Sequence, residues 1–242
     1  MATELSAWQS EPSPLVIKNS EVHLWRFSLK PEVVSLATLK KLLSRNELDR
    51  AARLLDANKS HDFILARSYL RSILGKYLQL PPEEIRFRYN QHRKPFIAAV
   101  HKSDIQFNLS HSHSQAVLAV ASANEIGIDI EWIDPALNYQ SLAEHFFLPE
   151  EQSLLNGYPV DEKNHAFYRL WTRKEALLKC LGCGFHNLTE PLMQITEPFK
   201  TIQTFPLMGN FLCTCVVQNE VKCIIRINTP KLTQMLINLN IF

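Results

Sequence analysis

Glycine is scarce, with 6 residues in a chain of 242. Phosphate-cradling loops need several glycines in a short span, and neither G-x-G-x-x-G nor G-x-x-x-x-G-K-[ST] occurs. H-E-x-x-H and G-x-S-x-G are missing too, which removes the helix-borne zinc protease and nucleophile-elbow patterns. The chain has no strong excess of one charge. A formal net charge of +2 carries no global polyanion signature, so any phosphate binding must come from local basic clusters and nucleic acid is not an expected partner. No apolar run approaches the length of a bilayer crossing, so no membrane span is expected. The N-terminus has no basic segment followed by an apolar core, so no secretory signal is expected. The 5 cysteines are an odd number, which argues against a disulfide framework. Cys180-x-x-Cys183 and Cys213-x-Cys215 read better as small buried hydrophobes than as half zinc sites, because no second C-x-x-C completes a set. Free thiols suit a reducing, cytoplasmic setting.

What is present is a 46% hydrophobic chain, enough for one large domain or two small ones. Residues 1–20 are polar and Pro-spotted and read as a loose lead-in. Glu21 to Leu29 alternates as a first strand. A helical region begins at Pro31. Ser44-Arg45-Asn46-Glu47 has capping-box form and starts a helix that would bury Leu48, Ala51, Leu54 and Leu55. Ser60 can cap a third helix with a stripe through Ala66, Leu70, Ile73 and Leu74, stopped by Pro81-Pro82. Short strands are expected at Ile85–Tyr89 and Ile105–Leu109, the second interrupted by Ser110 to Ser114, and another at Ala116–Ala121. Helices follow at about 139–147, at 149–156 with Pro149 at its first position, and from Asp161 to Leu181, closed by Gly182. Phe211–Gln218 and Val221–Ile227 read as a hairpin turning at Asn219-Glu220. Helical group, strands, helical group, strands: this order favours an α+β fold of two similar halves.

Three clusters could carry chemistry. Ile126-Gly127-Ile128-Asp129-Ile130-Glu131-Trp132 is an apolar strand with two carboxylates on one face. Taken alone it is either a half-exposed edge strand or a site for a hard cation that relieves two costly, mutually repelling charges. On the helix around Trp171, Glu175 and Lys179 share a face, which is also the pattern of an ordinary surface pair. Asn108-Leu109-Ser110-His111-Ser112-His113-Ser114 offers hydroxyls, imidazoles and strand-end N–H groups to a phosphate, or is a polar turn. Among the basic residues Arg50, Arg53, Lys59, His61, Arg67, Arg71, His92, Arg93 and Lys94, most read as solvated helix faces. Lys94 differs, because Pro95 biases it to an extended conformation.

In combination, Arg93-Lys94-Pro95, then Phe107-Asn108-Leu109-Ser110-His111-Ser112, then Ile126-Gly127-Ile128-Asp129-Ile130-Glu131, then Phe167-x3-Trp171-x2-Lys174-Glu175-Ala176-x2-Lys179 resembles the Sfp-type 4′-phosphopantetheinyl transferases. The resemblance implies a monomeric pseudo-dimer, with residues 15–122 making coenzyme A nucleotide contacts and 123–242 carrying the metal-binding strand and catalytic helix. It implies Mg2+ on Asp129, Glu131 and Glu175. Lys174 and Lys179 would lie near the phosphates, and Lys94, Ser110, His111 and Arg50 near the nucleotide of coenzyme A. Glu175 would be the general base, or would share proton removal with Glu151 through water on the metal. The acceptor would be a serine of an acyl or peptidyl carrier protein. Two positions depart from the family pattern: Arg93 stands where a glycine is usual, and Asp62 where a basic residue is expected, which leaves His61 or Lys59 to replace it. A decayed, non-catalytic coenzyme A or carrier-binding module, and another Mg2+-dependent pyrophosphate-cleaving enzyme, are the competing readings.

Overall fold

The computed structural model describes residues 3–30, 33–183 and 199–238. Pro31, the expected start of the first helical region, lies outside them. In chain order the elements are β1 (Glu4–Gln9), β2 (Glu21–Ser28), α1 (Leu36–Lys41), α2 (Arg45–Ala52), α3 (Ala57–Leu78), β3 (Phe87–Tyr89), β4 (Pro95–Ile97), β5 (Ile105–Ser112), β6 (Gln115–Ser122), β7 (Ile126–Trp132), α4 (Tyr139–Phe146), α5 (Pro149–Asn156), α6 (Lys163–Leu181), β8 (Thr201–Pro206), β9 (Phe211–Val217), β10 (Cys223–Asn228) and a last helix, Leu232–Asn238.

The two halves share one topology. In the first, β2, a helical group ending in α3, and then β5 and β6 give the antiparallel sheet order β2-β6-β5. In the second, β7, a helical group ending in α6, and then β8 and β9 give β7-β9-β8, also antiparallel. Each sheet is covered by its own long helix. Leu70, Ile73 and Leu74 of α3 pack on Trp25, Phe27, Leu118 and Val120. Ala176, Leu177 and Cys180 of α6 pack on Val216. The inner faces close on each other: Val22, Leu24, Val117 and Ala119 of one sheet meet Ile126, Ile128, Ile130, Cys213 and Cys215 of the other in a fully buried layer. The result is helix, sheet, sheet, helix. Because side chains alternate along a strand, the isoleucines of β7 that face the sandwich send Gly127, Asp129 and Glu131 toward α6.

Several sequence expectations are corrected. The lead-in contains β1, which pairs parallel with β10 and widens the first sheet to β1-β10-β2-β6-β5. β9 and β10 form no hairpin. They belong to different sheets, and β10 crosses to pair parallel with β2. α3 begins at Ala57 with Asp56 as its cap, accepting from the N–H groups of Asn58 and Lys59, while Ser60 donates to the Ala51 carbonyl. Leu55 is fully exposed rather than buried, since α2 ends at Ala52, before it. β5 is not interrupted at Ser110 but runs through Ser112, and His113-Ser114 makes the turn, with His113 at φ +50°. Arg67 and Arg71 are not solvated: Arg71 is 1% exposed, and both hold the Glu47 carboxylate. The Ser44–Glu47 capping box forms as read.

Candidate active site

Gly127 sets the distance between β7 and α6. A Cβ there would stand 1.9 Å from the Ala176 carbonyl oxygen and 2.5 Å from the Cys180 nitrogen, both backbone atoms that cannot swing away. With glycine in place, the helix face carrying Glu175 and Lys179 lies against the strand face carrying Asp129 and Glu131. The C-terminus of α6 is held from the other half. Lys94, in the turn before β4, donates to the Cys180 carbonyl at 2.9 Å and Asn90 to the Gly182 carbonyl at 2.6 Å, so a cation and an amide satisfy helix-end carbonyls that have no partner within the helix. That turn needs Arg93 at φ +65°. This is the backbone that a glycine adopts without strain, and it gives a physical reason for the glycine usual at this place.

The cluster is strongly coupled. Lys179 donates to Asp129 Oδ1 at 2.6 Å and to Ser110 Oγ at 3.0 Å, and Ser110 gives its proton to the same Asp129 oxygen at 2.9 Å. Ser112 donates to Glu131 Oε2 at 3.0 Å. Burial, more than anything else, raises all three carboxylates. Glu131 is pushed up to about 7, with the Asp129 charge adding to burial. Asp129 and Glu175 are raised although Lys179 pulls both down. Burial works against the Lys179 ammonium as well, but the attraction of Asp129, Glu175 and Glu131 outweighs it and raises this lysine. Three carboxylates facing one ammonium have too much negative charge for the chain itself to balance.

Other residues singled out in the sequence stand elsewhere. Lys174 is buried and pairs with Glu151 at 2.6 Å and with the Phe146 carbonyl at 2.9 Å, while Glu151 also caps the N–H of Leu148. Lys94 spends its ammonium on Glu125 at 2.7 Å and on the carbonyls of Cys180 and Ile126. His111 is exposed at the edge of the cluster. Partial desolvation of its ring, helped by the Lys179 charge, lowers its pKa, and the Asp62 charge opposes this. Arg50 stays on the surface of α2 with its guanidinium over the Phe63 ring. Sequence reasoning placed Ser112 in the polar cluster without singling it out, although N-x-S-x-S on β5 has the same two-residue period as D-x-E on β7. His113 packs against Trp132 with ring centroids 4.7 Å apart and the ring planes tilted by 54°.

The comparisons with known proteins agree on one family. The profile described as 4′-phosphopantetheinyl transferase superfamily matches residues 125–222, and that described as 4′-phosphopantetheinyl transferase, N-terminal, matches 27–123. The 4′-phosphopantetheinyl transferase HetI of Nostoc sp. is 41% identical over 202 residues, covering 82% of this chain and 85% of its own. The chain belongs to the 4′-phosphopantetheinyl transferase superfamily. The transferase gsp of Aneurinibacillus migulanus is 31% identical over 189 residues, 73% of this chain and 77% of its own. Sfp of Bacillus subtilis is 32% identical over 142 residues, 59% and 61% of the two chains. The protein is therefore an enzyme of phosphopantetheinyl transfer.

As their side chains stand, no group of three His, Cys, Asp or Glu among the described residues is drawn together tightly enough to hold a metal ion. The donor set nevertheless fits a hard divalent cation. Asp129 Oδ2 is buried without a hydrogen-bond partner, and the surplus negative charge around it is what such a cation would neutralise. Among the described residues no helix is long and apolar enough to cross a membrane.

Proposed function

We propose that the enzyme transfers 4′-phosphopantetheine from coenzyme A to a serine hydroxyl of an acyl or peptidyl carrier protein and releases adenosine 3′,5′-bisphosphate. The observation that carries this reading is the orphaned oxygen of Asp129 among three raised carboxylates, where the strand of one half meets both its own long helix and the edge of the other half. Asp129, Glu131 and Glu175 would hold Mg2+. Bound there, it would supply Lewis-acid stabilisation to the pyrophosphate oxygens.

The chain's own groups do the rest. The serine oxygen attacks the β-phosphorus, the bridging P–O bond breaks, and its electron pair leaves on adenosine 3′,5′-bisphosphate. The serine is a weak nucleophile at neutral pH, so its proton must go to a base within reach. Glu175, raised by burial and beside Lys179, is the base we favour. Glu151 already shares an oxygen between Lys174 and the Leu148 N–H, which makes it the less available of the two. Lys179 adds positive charge where the phosphate charge grows. Ser110 and His111 border the same cluster and suit the phosphate end of coenzyme A. Lys94 and Arg50 are assigned to its nucleotide, and Lys174 to its phosphates. For Lys94 and Lys174 this requires release from Glu125 and Glu151. In this reading residues 15–122 supply the nucleotide contacts and 123–242 the metal-binding strand and catalytic helix. We further infer a cytoplasmic monomer.

The test is intact-mass measurement of carrier proteins after incubation with enzyme, coenzyme A and Mg2+. The mass of a carrier should rise by one phosphopantetheine, with adenosine 3′,5′-bisphosphate released only when carrier is present. No mass change across fatty-acid, polyketide and nonribosomal-peptide carriers, or nucleotide release without carrier, would overturn the reading.

A further inference from the structure

β5 and β7 are edge strands of different sheets. Side chains of β5 bond the backbone of β7. Asn108 Oδ1 accepts the Ile128 N–H at 3.0 Å, Ser110 Oγ the Ile130 N–H at 3.4 Å, and Ser112 Oγ the Trp132 N–H at 3.2 Å. Every second residue of β5 meets every second N–H of β7, so three side chains stand in for a strand ladder and tie the two halves together.

The rungs differ in what else they hold. Each serine has a single proton to give. Ser110 gives its proton to Asp129, and Ser112 gives its proton to Glu131 at 3.0 Å. His113 Nδ1 lies 3.4 Å from the Ser112 hydroxyl, too far to compete well with the carboxylate. Asn108 sits at the other end of the ladder, and its bond is to the Ile128 N–H.

We propose that Ser112 is a positioning residue of the transfer site. It accepts the Trp132 N–H, which fixes its oxygen, and its proton then holds one oxygen of Glu131 so that the carboxylate stays turned to the Asp129 cluster. A free glutamate loses rotamer freedom when it binds a cation, and a side chain already held loses less. Groups that orient a ligand in this way commonly change metal affinity 10- to 100-fold when removed. The inference rests on the reading of Asp129, Glu131 and Glu175 as the Mg2+ ligands.

Calorimetric titration of the purified enzyme with Mn2+ and with Mg2+, in the absence of coenzyme A, tests it. Ser112→Ala should weaken binding by about 10-fold, and Ser112→Thr, which keeps the hydroxyl, should restore it. Asn108→Ala breaks a rung without touching a carboxylate. It should lower stability by about 1 kcal/mol and leave metal affinity unchanged. Wild-type affinity in a folded Ser112→Ala protein, or equal weakening by Asn108→Ala, would overturn the proposal. If Ser112→Ala yields no folded protein, Ser112→Thr and Ser112→Cys carry the test, because a thiol is a poor donor. Equal metal affinity in those two would sink it. Asp129→Ala separates this from the ligand reading: if that variant still binds metal as the wild type does, the ligands are wrong whatever Ser112 does.

Discussion

Glu47 holds two guanidiniums, whereas Lys179 stands among three carboxylates. Glu47, Arg71 and Asp129 are buried, Glu131, Glu175 and Lys179 half-buried, and each constellation joins packed elements, yet the two are built in opposite ways. Glu47 accepts from Arg67 at 2.6 Å, from Arg71 at 2.7 Å and from the Ser44 N–H at 2.8 Å, and Arg71 goes on to the carbonyls of Pro82 and Ile85. Burial alone would raise this carboxyl, but the two arginines outweigh it and hold it below its ordinary value. Around Lys179 the balance is reversed: burial wins, the carboxylates are raised, and Asp129 keeps an oxygen with no partner. The first cluster balances its charge within the chain, although Arg67 Nη2 is itself buried without a hydrogen-bond partner. The other has a surplus of negative charge that the chain does not balance, at the place where we assign the metal and the transfer chemistry.

The contrast can be broken most severely at Glu47. Glu47→Ala leaves two buried guanidiniums facing each other and should cost about 3–5 kcal/mol, read by chemical denaturation. A loss below about 1 kcal/mol, the range of an exposed pair, would put this cluster in the wrong class. At the other cluster the same truncation should act on rate. Asp129→Ala should lower kcat/KM for carrier modification by about 100- to 1,000-fold, with a denaturation midpoint near that of the wild type, because it removes one of three repelling charges. A folded Asp129→Ala enzyme with wild-type turnover would end the metal assignment.

The comparison also explains how far the sequence could be read. Local period put Asp129 with Glu131 and Glu175 with Lys179 on shared faces, but by itself it left an edge strand and a surface pair open; the family resemblance singled the four out, and the packing of α6 on β7 brings them together. Gly127 was legible in the motif, but its reason, the backbone of α6 within van der Waals distance, is tertiary. Arg71 was misread because its partner is set by a capping box 24 residues earlier that only the packing of α2 on α3 brings to it. β1 and β10 failed for a related reason. Their parallel partners lie at opposite ends of the chain, and the alternation of β10 fits a hairpin with β9 as well as a crossover to β2. Lys94 and Lys174 carried a motif but not the pairing that each makes, Lys94 with the part-exposed Glu125 and Lys174 with the buried Glu151.

A neutral buried chain in the first half sharpens the contrast further. Trp25 Nε1 donates to the Tyr77 hydroxyl at 2.7 Å, and the same hydroxyl is hydrogen-bonded to His23 Nδ1, also at 2.7 Å. Burial of the His23 ring favours its neutral form and lowers its pKa from 6.5 to about 4. The sign follows from proton binding: between these values the unfolded chain binds the proton and the folded one does not, so stability is present above pH 6.5 and falls as the pH drops toward 4. By pH 5 the loss from this group should be about 2 kcal/mol. His23→Gln, compared with wild type by denaturation at pH 7.5 and 5, should remove most of that difference. An unchanged pH dependence in the variant would mean that acid acts elsewhere.

Lys94 lies between the two classes, and so gives the smallest but most discriminating test. Its ammonium is satisfied by Glu125 and two carbonyls, as Glu47 is satisfied by its arginines, yet Glu125 is 39% exposed and the family resemblance assigns the lysine to coenzyme A. A closed structural pair should lose stability and nothing else. A site group should lose ligand affinity. Lys94→Met keeps the aliphatic stem and removes the charge, leaving the Cys180 carbonyl and the C-terminus of α6 without their cation. The expected stability loss is about 1–2 kcal/mol, with coenzyme A binding weakened about 3- to 10-fold in calorimetry, as for one charge-assisted hydrogen bond. If affinity is unchanged while stability falls, Lys94 is a strut between the halves and leaves the nucleotide contacts. If affinity falls while stability does not, the ion pair with Glu125 is exchanged freely, and the lysine belongs with the unbalanced cluster beside it.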